Sequence, residues 1–250
     1  MRPQGKNLKI VAIVQARMGS TRLRGKVLLD LGGETVLARV VKRLSRAALV
    51  NEVVVATTED AADDAIVREC ERLGVTCFRG SEDDVLDRYH RAARACGAEA
   101  IVRITSDCPL IDPELVDDTI RIFLEERGDY GSNVFPRTFP RGLDTEVFTA
   151  AALERAWRDA REPHQREHVT PYFHEHPELF RLVSTHGQTD YSAYRWTLDT
   201  AEDLELLRAI YSRLGNRDNF HWREALAVVE RKPELAELNA HVMQKSIRGH

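Results

Sequence analysis

The 250-residue sequence has only four cysteines, and no two of them form a CxxC pair. Cys70, Cys77, Cys96 and Cys108 supply no zinc motif, and their scatter fits reduced thiols in a cytoplasmic protein. A basic surplus is also missing: 36 Lys and Arg face 40 Asp and Glu, a net charge of −4. That balance argues against a general nucleic-acid binder or a membrane-surface protein. Long apolar runs are absent at the start, where polar MRPQGKNLK precedes only about six apolar residues, too few for a secretory or spanning segment. Two nucleotide fingerprints fail as well. There is no GxGxxG, and five residues rather than four separate Gly19 from Gly25-Lys26, with Val27 after them, so no Walker A loop is present.

What the chain does have is alternation. LKIVAIVQ, NEVVVATT, VTCFRG and AEAIVRIT read as buried strands. Between them, ETVLARVVKRLSRA reads as a helix with Val36, Leu37, Val40, Val41 and Leu44 on one face. DAADDAIVRECERLG reads as a helix closed by Gly74, and Ser81 is placed to cap SEDDVLDRYHRAARACG, with Asp84 as a capping-box partner. Asp112-Pro113 opens a further helix, as N-cap and first-turn proline. Strands separated by amphipathic helices predict an α/β fold with a mostly parallel sheet covered on both faces.

The second half is less regular. DYGSNV, LDTEVFT and LFRLVST read as strands, and the Pro- and Gly-rich FPRTFPRG as an exposed excursion. Residues 149–161 and 163–175 read as helices, and TAEDLELLRAIYSRLG as a helix with Leu204, Leu207, Ile210 and Leu214 inward. With no internal repeat or low-complexity linker, we read one domain with an irregular insertion. Its core runs from about residue 8 to 215, and 216–250 form a peripheral helical tail.

The chemistry concentrates in VQARMGSTRLRGK, where Arg17, Arg22, Arg24 and Lys26 are interleaved with Gly19, Ser20, Thr21 and Gly25 directly after the first strand. Glycines let backbone N–H groups approach an anion and cations offset its charge, so the loop suits phosphates. Arg17 and Arg22 can grip phosphate oxygens bidentately, and Lys26 can act as a point charge. Two carboxylates stand at other strand ends. Asp107, in RITSDCPLID, projects into the same crevice, and Pro109 prevents a helix from continuing through it. Asp199, in RWTLDTAEDL, is open to two readings, as cap of the next helix or as a second carboxylate of the site. One or two carboxylates plus substrate phosphates is the usual protein site for Mg²⁺.

VQARMGSTRLRGKVLLDLGG, VVVATTEDAADDAIV, FRGSEDDVLDRY, VRITSDCPLIDPELVD, FPRGLDTEVF, REHVTPYF and LDTAEDLELL, in that order, together resemble the cytidylyltransferases. The likeness is to the spore-coat polysaccharide (SpsF-like) branch, related to the enzymes that make CMP-sialic acid and CMP-KDO. The resemblance implies a three-layer α/β/α nucleotide-diphospho-sugar transferase (Rossmann-like) fold and a homodimer built on the excursion. It implies transfer of CMP from CTP to a small anionic acceptor such as a sugar acid, with release of pyrophosphate. Arg17, Arg22 and Lys26 become the triphosphate ligands, with Ala16 and Ser20 beside the nucleotide through their backbones and Ser106 and Asp107 lining it. Arg17, Lys26 and Asp107 carry the catalysis, and Asp107 and Asp199 hold the metal. The chain departs from the family pattern at Arg24, where a proline is usual, and at Ser106, where a glycine is usual; neither change removes a charged ligand.

For the acceptor, RGLDTEVF and QREHVTPYF offer Arg141, Asp144, Glu146, Arg166, Glu167 and His168. Arginines suit an anionic group, and Asp144 and Glu146 suit hydroxyls or an amine. The bland alternatives are an outward pair on an edge strand for Asp144 and Glu146, a surface helix pair for Arg166 and Glu167, and a structural His168. His164 and His168 have half of a zinc spacing, but no HExxH accompanies them. The alternative activity is that of a metal-dependent glycosyltransferase acting on a nucleotide-sugar.

Overall fold

A computed structural model describes residues 8–244. The first seven residues of the polar N-terminal stretch and the last six of the expected tail lie outside the described residues. The elements in chain order are β1 (Ile10–Gln15), α1 (Val36–Leu44), β2 (Glu52–Thr58), α2 (Asp64–Leu73), β3 (Thr76–Gly80), α3 (Val85–Ala95), β4 (Ala100–Thr105), α4 (Pro113–Glu125) and β5 (Tyr130–Ser132). They continue as β6 (Glu146–Thr149), α5 (Ala150–Asp159), α6 (Pro163–His168), α7 (Pro171–Glu175), β7 (Leu182–Ser184), α8 (Ala201–Arg213), α9 (Trp222–Arg231) and α10 (Glu234–Glu237). The seven strands form one sheet in the order β3-β2-β1-β4-β6-β5-β7, in which β6 alone runs antiparallel to its neighbours. The expected mostly parallel sheet is therefore present.

Both faces of the sheet are covered, because side chains alternate across each strand. Ala12, Val14, Val55 and Val102 pack against Leu37 and Val40 of α1, Ile66 of α2, and Ile120 and Phe123 of α4. Val11, Ile13, Ile101 and Phe148 pack against Leu86 and Tyr89 of α3, Leu153 of α5 and Phe173 of α7. These are the three layers. A third apolar cluster joins Leu204, Leu207, Ile210 and Leu214 of the α8 region to Trp196, Leu198 and Leu110, and it takes in Phe220, Trp222 and Leu226 from beyond residue 215. Asp112 ties that C-terminal part to the core, since its carboxylate caps α4 on one oxygen and accepts from the Trp222 N–H at 2.6 Å on the other.

Three local expectations need correction. The helix after β3 starts at Val85, not at Ser81, because the Asp84 carboxylate is the N-cap, accepting from the Asp87 N–H at 2.8 Å. Ser81 instead accepts from the Asp84 N–H at 3.1 Å, closing a turn ahead of the helix. The expected helix over 163–175 is two helices, since Pro171 inside one helix would strike the carbonyl of residue 167. Val169 bridges them at φ 71 and ψ −53, with Thr170 N–H donating to the His168 carbonyl at 2.8 Å, a tight turn rare for a β-branched residue. Finally, the excursion over 135–142 is only partly exposed: Phe139 and Pro140 are buried, whereas Phe135 is 54% exposed. Among the described residues no helix is long and apolar enough to cross a membrane.

Candidate active site

The loop after β1 is held by backbone and by one buried carboxylate. The Ala16 N–H donates to the Ala56 carbonyl at 3.1 Å, carrying the chain one residue past the strand. The Met18 carbonyl accepts from Ser20 and Gly25, at 2.9 and 3.2 Å, which folds the loop back on itself. Gly25 adopts φ 64, the left-handed region that glycine tolerates without a Cβ penalty, and starts a single 3-10 turn over Lys26–Leu28. Val27, buried in that turn, pegs the loop into the core, while Lys26 faces the open crevice. The exposed Arg24 takes no part in this turn geometry, which Gly25 supplies.

Asp63 anchors the loop from below and was not singled out in the sequence. Its carboxylate accepts from the Met18 N–H at 2.7 Å, the Thr57 hydroxyl at 2.9 Å and the Thr58 hydroxyl at 2.5 Å. Burial pushes the Asp63 carboxyl up, but these hydrogen bonds outweigh it and hold it below the ordinary aspartate value. Its contribution to stability is therefore complete above the unfolded value of about 3.9 and is lost as pH falls through the folded one. We expect Asp63→Ala to lower stability by on the order of 2–3 kcal/mol at neutral pH. Urea unfolding should also show a flatter dependence on pH below about 4 than in the unaltered chain. An unchanged acid limb would contradict this role.

Lys26 is where the distant segments meet. Its ammonium donates to Asp107 Oδ2 at 2.8 Å, to Asp199 Oδ1 at 2.9 Å and to the Leu198 carbonyl at 2.7 Å, using all three of its protons. Burial presses the Lys26 pKa down, but the two carboxylates outweigh it, and it lies above the ordinary lysine value. Burial pushes Asp199 up, and Lys26, then Arg22 and Arg195, bring it below the ordinary aspartate value. The other Asp199 oxygen is held by Arg22 Nη2 at 2.8 Å and Arg195 Nη2 at 2.6 Å. Capping of α8 falls to Thr200, whose side chain accepts from the Asp203 N–H while Asp203 answers at the Thr200 N–H. So the cap reading of the DTAED stretch belongs to Thr200, and the Asp199 carboxylate is left to the site.

The loop, Asp107 and Asp199 line one cleft of about 1520 Å³ at the carboxyl ends of the parallel strands. Ala16, Arg17, Ser20, Arg22, Lys26, Ser106, Asp107 and Asp199 are on its walls, and so are Arg141, Asp144, Glu146, Arg166, Glu167 and His168. Their local settings differ. Arg17 is exposed and only 3.8 Å from Glu82. Ser106 is buried beside β1, its N–H donating to the Gln15 carbonyl at 3.1 Å. Glu146 is not on an edge strand, because β6 lies between β4 and β5. It is buried, ion-paired with Arg103 directly across the strand pair, and accepts from the Tyr130 hydroxyl at 2.6 Å. Asp144 is held bidentately by Arg137, at 2.5 and 2.7 Å. Arg166 bonds Asp84 Oδ2 through Nε at 3.0 Å, tying α6 to the cap of α3. Arg141 differs from these. Burial, then Arg137, lowers its pKa, and it makes no ion pair among the described residues.

Arg103, Arg137 and Arg195 went unread in the sequence. Only Arg195 had a local signal there, standing four residues before Asp199; the other two are recognisable only from the strand and loop that face them.

Residues 11–244 match the cytidylyltransferase family model. The chain belongs to the cytidylyltransferase family. This cytidylyltransferase is 37% identical over 234 residues to the spore coat polysaccharide biosynthesis protein SpsF of Bacillus subtilis, covering 91% of this chain and 96% of that one. It is 41% identical over 113 residues to the 3-deoxy-manno-octulosonate cytidylyltransferase of Geobacter sulfurreducens, 45% of this chain and 44% of that one. Among solved structures, a cytidylyltransferase from Leptospira borgpetersenii superposes with a TM-score of 0.89 at 37% identity, covering 96% of this chain and 99% of that one. The cytidylyltransferase is thus a CTP-dependent nucleotidyltransferase, and the glycosyltransferase alternative gives way.

Proposed function

We propose that the protein transfers CMP from CTP to a small acidic acceptor, a sugar acid or similar anion, in a magnesium-dependent reaction that serves surface polysaccharide assembly. The observation that carries the reading is the Lys26 ammonium set within 2.9 Å of both Asp107 and Asp199, residues 81 and 173 positions away. The donor set fits the metal. Two hard carboxylates within reach of one cation are what Mg²⁺ takes from a protein when nucleotide phosphates complete its shell. No group of three or more His, Cys, Asp or Glu among the described residues forms an independent metal cage. Magnesium would be held by Asp107 and Asp199, and once bound would screen the phosphate charge and polarise the α-phosphorus.

The chain's own residues do the rest by position and charge. Arg17, Arg22 and Lys26 bind the triphosphate, Ala16 and Ser20 border it through the loop backbone, and Ser106 lies beside it. As an acceptor oxygen attacks the α-phosphorus in line, the Pα–O bond to the β-phosphate breaks and pyrophosphate leaves, its growing charge met by Lys26 and the arginines. Arg141, which forms no ion pair among the described residues, receives the acceptor's anionic group. Asp144, set by Arg137, faces its hydroxyls, and Glu146, Arg166, Glu167 and His168 shape the surrounding wall. Incubation with CTP, Mg²⁺ and a panel of acidic sugars tests the reading: pyrophosphate release that needs all three components supports it. No release with any acidic acceptor, but release with neutral ones, would overturn the acceptor class. In the active pair, Arg141→Met is expected to raise KM for the acceptor about 10- to 100-fold while leaving KM for CTP unchanged.

A further inference from the structure

The last described segment of the chain carries no recognisable motif, yet it reaches the cleft. Asn239 is 3% exposed, and its side-chain amide donates to Asp203 Oδ1 at 2.7 Å and to the Arg195 carbonyl at 2.9 Å. Asp203 is fully buried and acts as a hub. One of its oxygens also accepts from Arg195 Nε at 3.1 Å, and the other accepts from the Asp199 N–H at 2.8 Å. Arg195 then extends Nη2 to Asp199 Oδ2 at 2.6 Å and Nη1 to Gln244 Oε1 at 2.8 Å. Arg22, the second cation on Asp199 Oδ2, donates its Nη1 to the Met243 carbonyl at 3.4 Å. Both guanidinium groups that hold the outer oxygen of Asp199 are therefore braced by residues 239–244, and Gln244 lines the cleft itself.

We propose that residues 239–244 form a strap that completes the site, with Asn239 a positioning residue that sets the direction of the Asp199 carboxylate through Asp203 and Arg195. The inference rests on the reading of Asp199 as one of two carboxylates that meet magnesium with the nucleotide. An aspartate side chain turns about its own bonds, so which oxygen faces the cleft is decided by what holds the other. Here Oδ2 is held by two braced guanidiniums, which leaves Oδ1 turned to the crevice beside Lys26. Groups one shell out from a metal ligand act in this way, and their loss costs about 10- to 100-fold in metal affinity.

The test is calorimetric titration of CTP into the full chain, once with excess Mg²⁺ and once with a chelator, the readout being the ratio of the two Kd values. The unaltered chain is expected to bind more tightly with magnesium. Asn239→Leu keeps the volume and removes the donors. It is expected to shrink the ratio about tenfold, with the chelated Kd within about twofold of the original. Equal loss in both titrations would mark a purely structural residue and overturn the proposal, as would an unchanged ratio. If Asn239→Leu does not fold, Gln244→Ala decides. Its side chain is exposed, its one side-chain hydrogen bond among the described residues is the one to Arg195, and a reduction of about threefold in the ratio is expected. An unaltered chain that binds no CTP, or binds it without regard to magnesium, would instead overturn the reading beneath the inference.

Discussion

Lys26→Ala should lower the rate of cytidylyl transfer by about a hundredfold or more, with a raised KM for CTP and an unchanged fold. The ammonium is the group at which the loop, the β4 end and the segment before α8 converge, and all three of its protons are committed there. In the proposed reaction those protons are the ones offered to the leaving phosphates, where charge grows as the bond to the α-phosphorus breaks. Removal of a single preorganised donor of this kind typically costs a few kcal/mol of transition-state stabilisation, which is the hundredfold. A second consequence fixes the sign on binding. Without Lys26, Asp107 and Asp199 face one another with less positive charge between them, so the triphosphate meets a more negative site and KM rises. The apolar core does not involve this side chain, whereas the neighbouring Val27 is buried and remains. Pyrophosphate release measured beside the thermal midpoint checks the claim, and near-normal turnover in a folded variant would defeat the assignment.

Asp107→Asn should cut turnover by a comparable factor for the opposite electrostatic reason. The substitution keeps the shape and one acceptor oxygen but deletes the charge that the proposed metal requires. Lys26 keeps Asp199 and the Leu198 carbonyl as partners, so the cation stays in place. The site becomes more positive, and metal-free CTP binding should hold steady or strengthen while kcat falls. The pair of variants thus separates on two axes: Lys26→Ala loses metal-free CTP affinity and rate, whereas Asp107→Asn keeps metal-free affinity and loses rate together with the tightening that magnesium gives. If both lost affinity equally, the division of labour between cation and carboxylate would be wrong.

Much of this was readable one segment at a time. The burial of Val36, Leu37, Val40, Val41 and Leu44 follows from helical periodicity, and the α4 start at Asp112-Pro113 follows from local capping chemistry. The cationic loop was legible because glycines and like charges crowded into one turn have a local meaning. The readings went astray where a local rule had two satisfiable outcomes. Ser81 and Asp84 can each cap a helix, and in the fold Asp84 caps with one oxygen while the other bonds Arg166, 82 positions away. Glu146 is open in the sequence to an acceptor role or to an outward place on an edge strand, because nothing near it tells that β6 slots between β4 and β5. Asp63, Arg103 and Asn239 are polar residues whose partners belong to other segments, so their meaning exists only after folding.

The cations around Asp107 and Asp199 have one more consequence. Three side-chain cations, Lys26, Arg22 and Arg195, already surround the two carboxylates. In the proposed reading a bare divalent ion would find the charge of Asp107 and Asp199 already offset, with Asp203 balancing Arg195, and would have to displace Lys26. The same ion escorted by a triphosphate would bring with it the negative charge that draws Lys26 and Arg22 aside. In the proposed reading, metal and nucleotide therefore enter together, and magnesium alone should bind weakly.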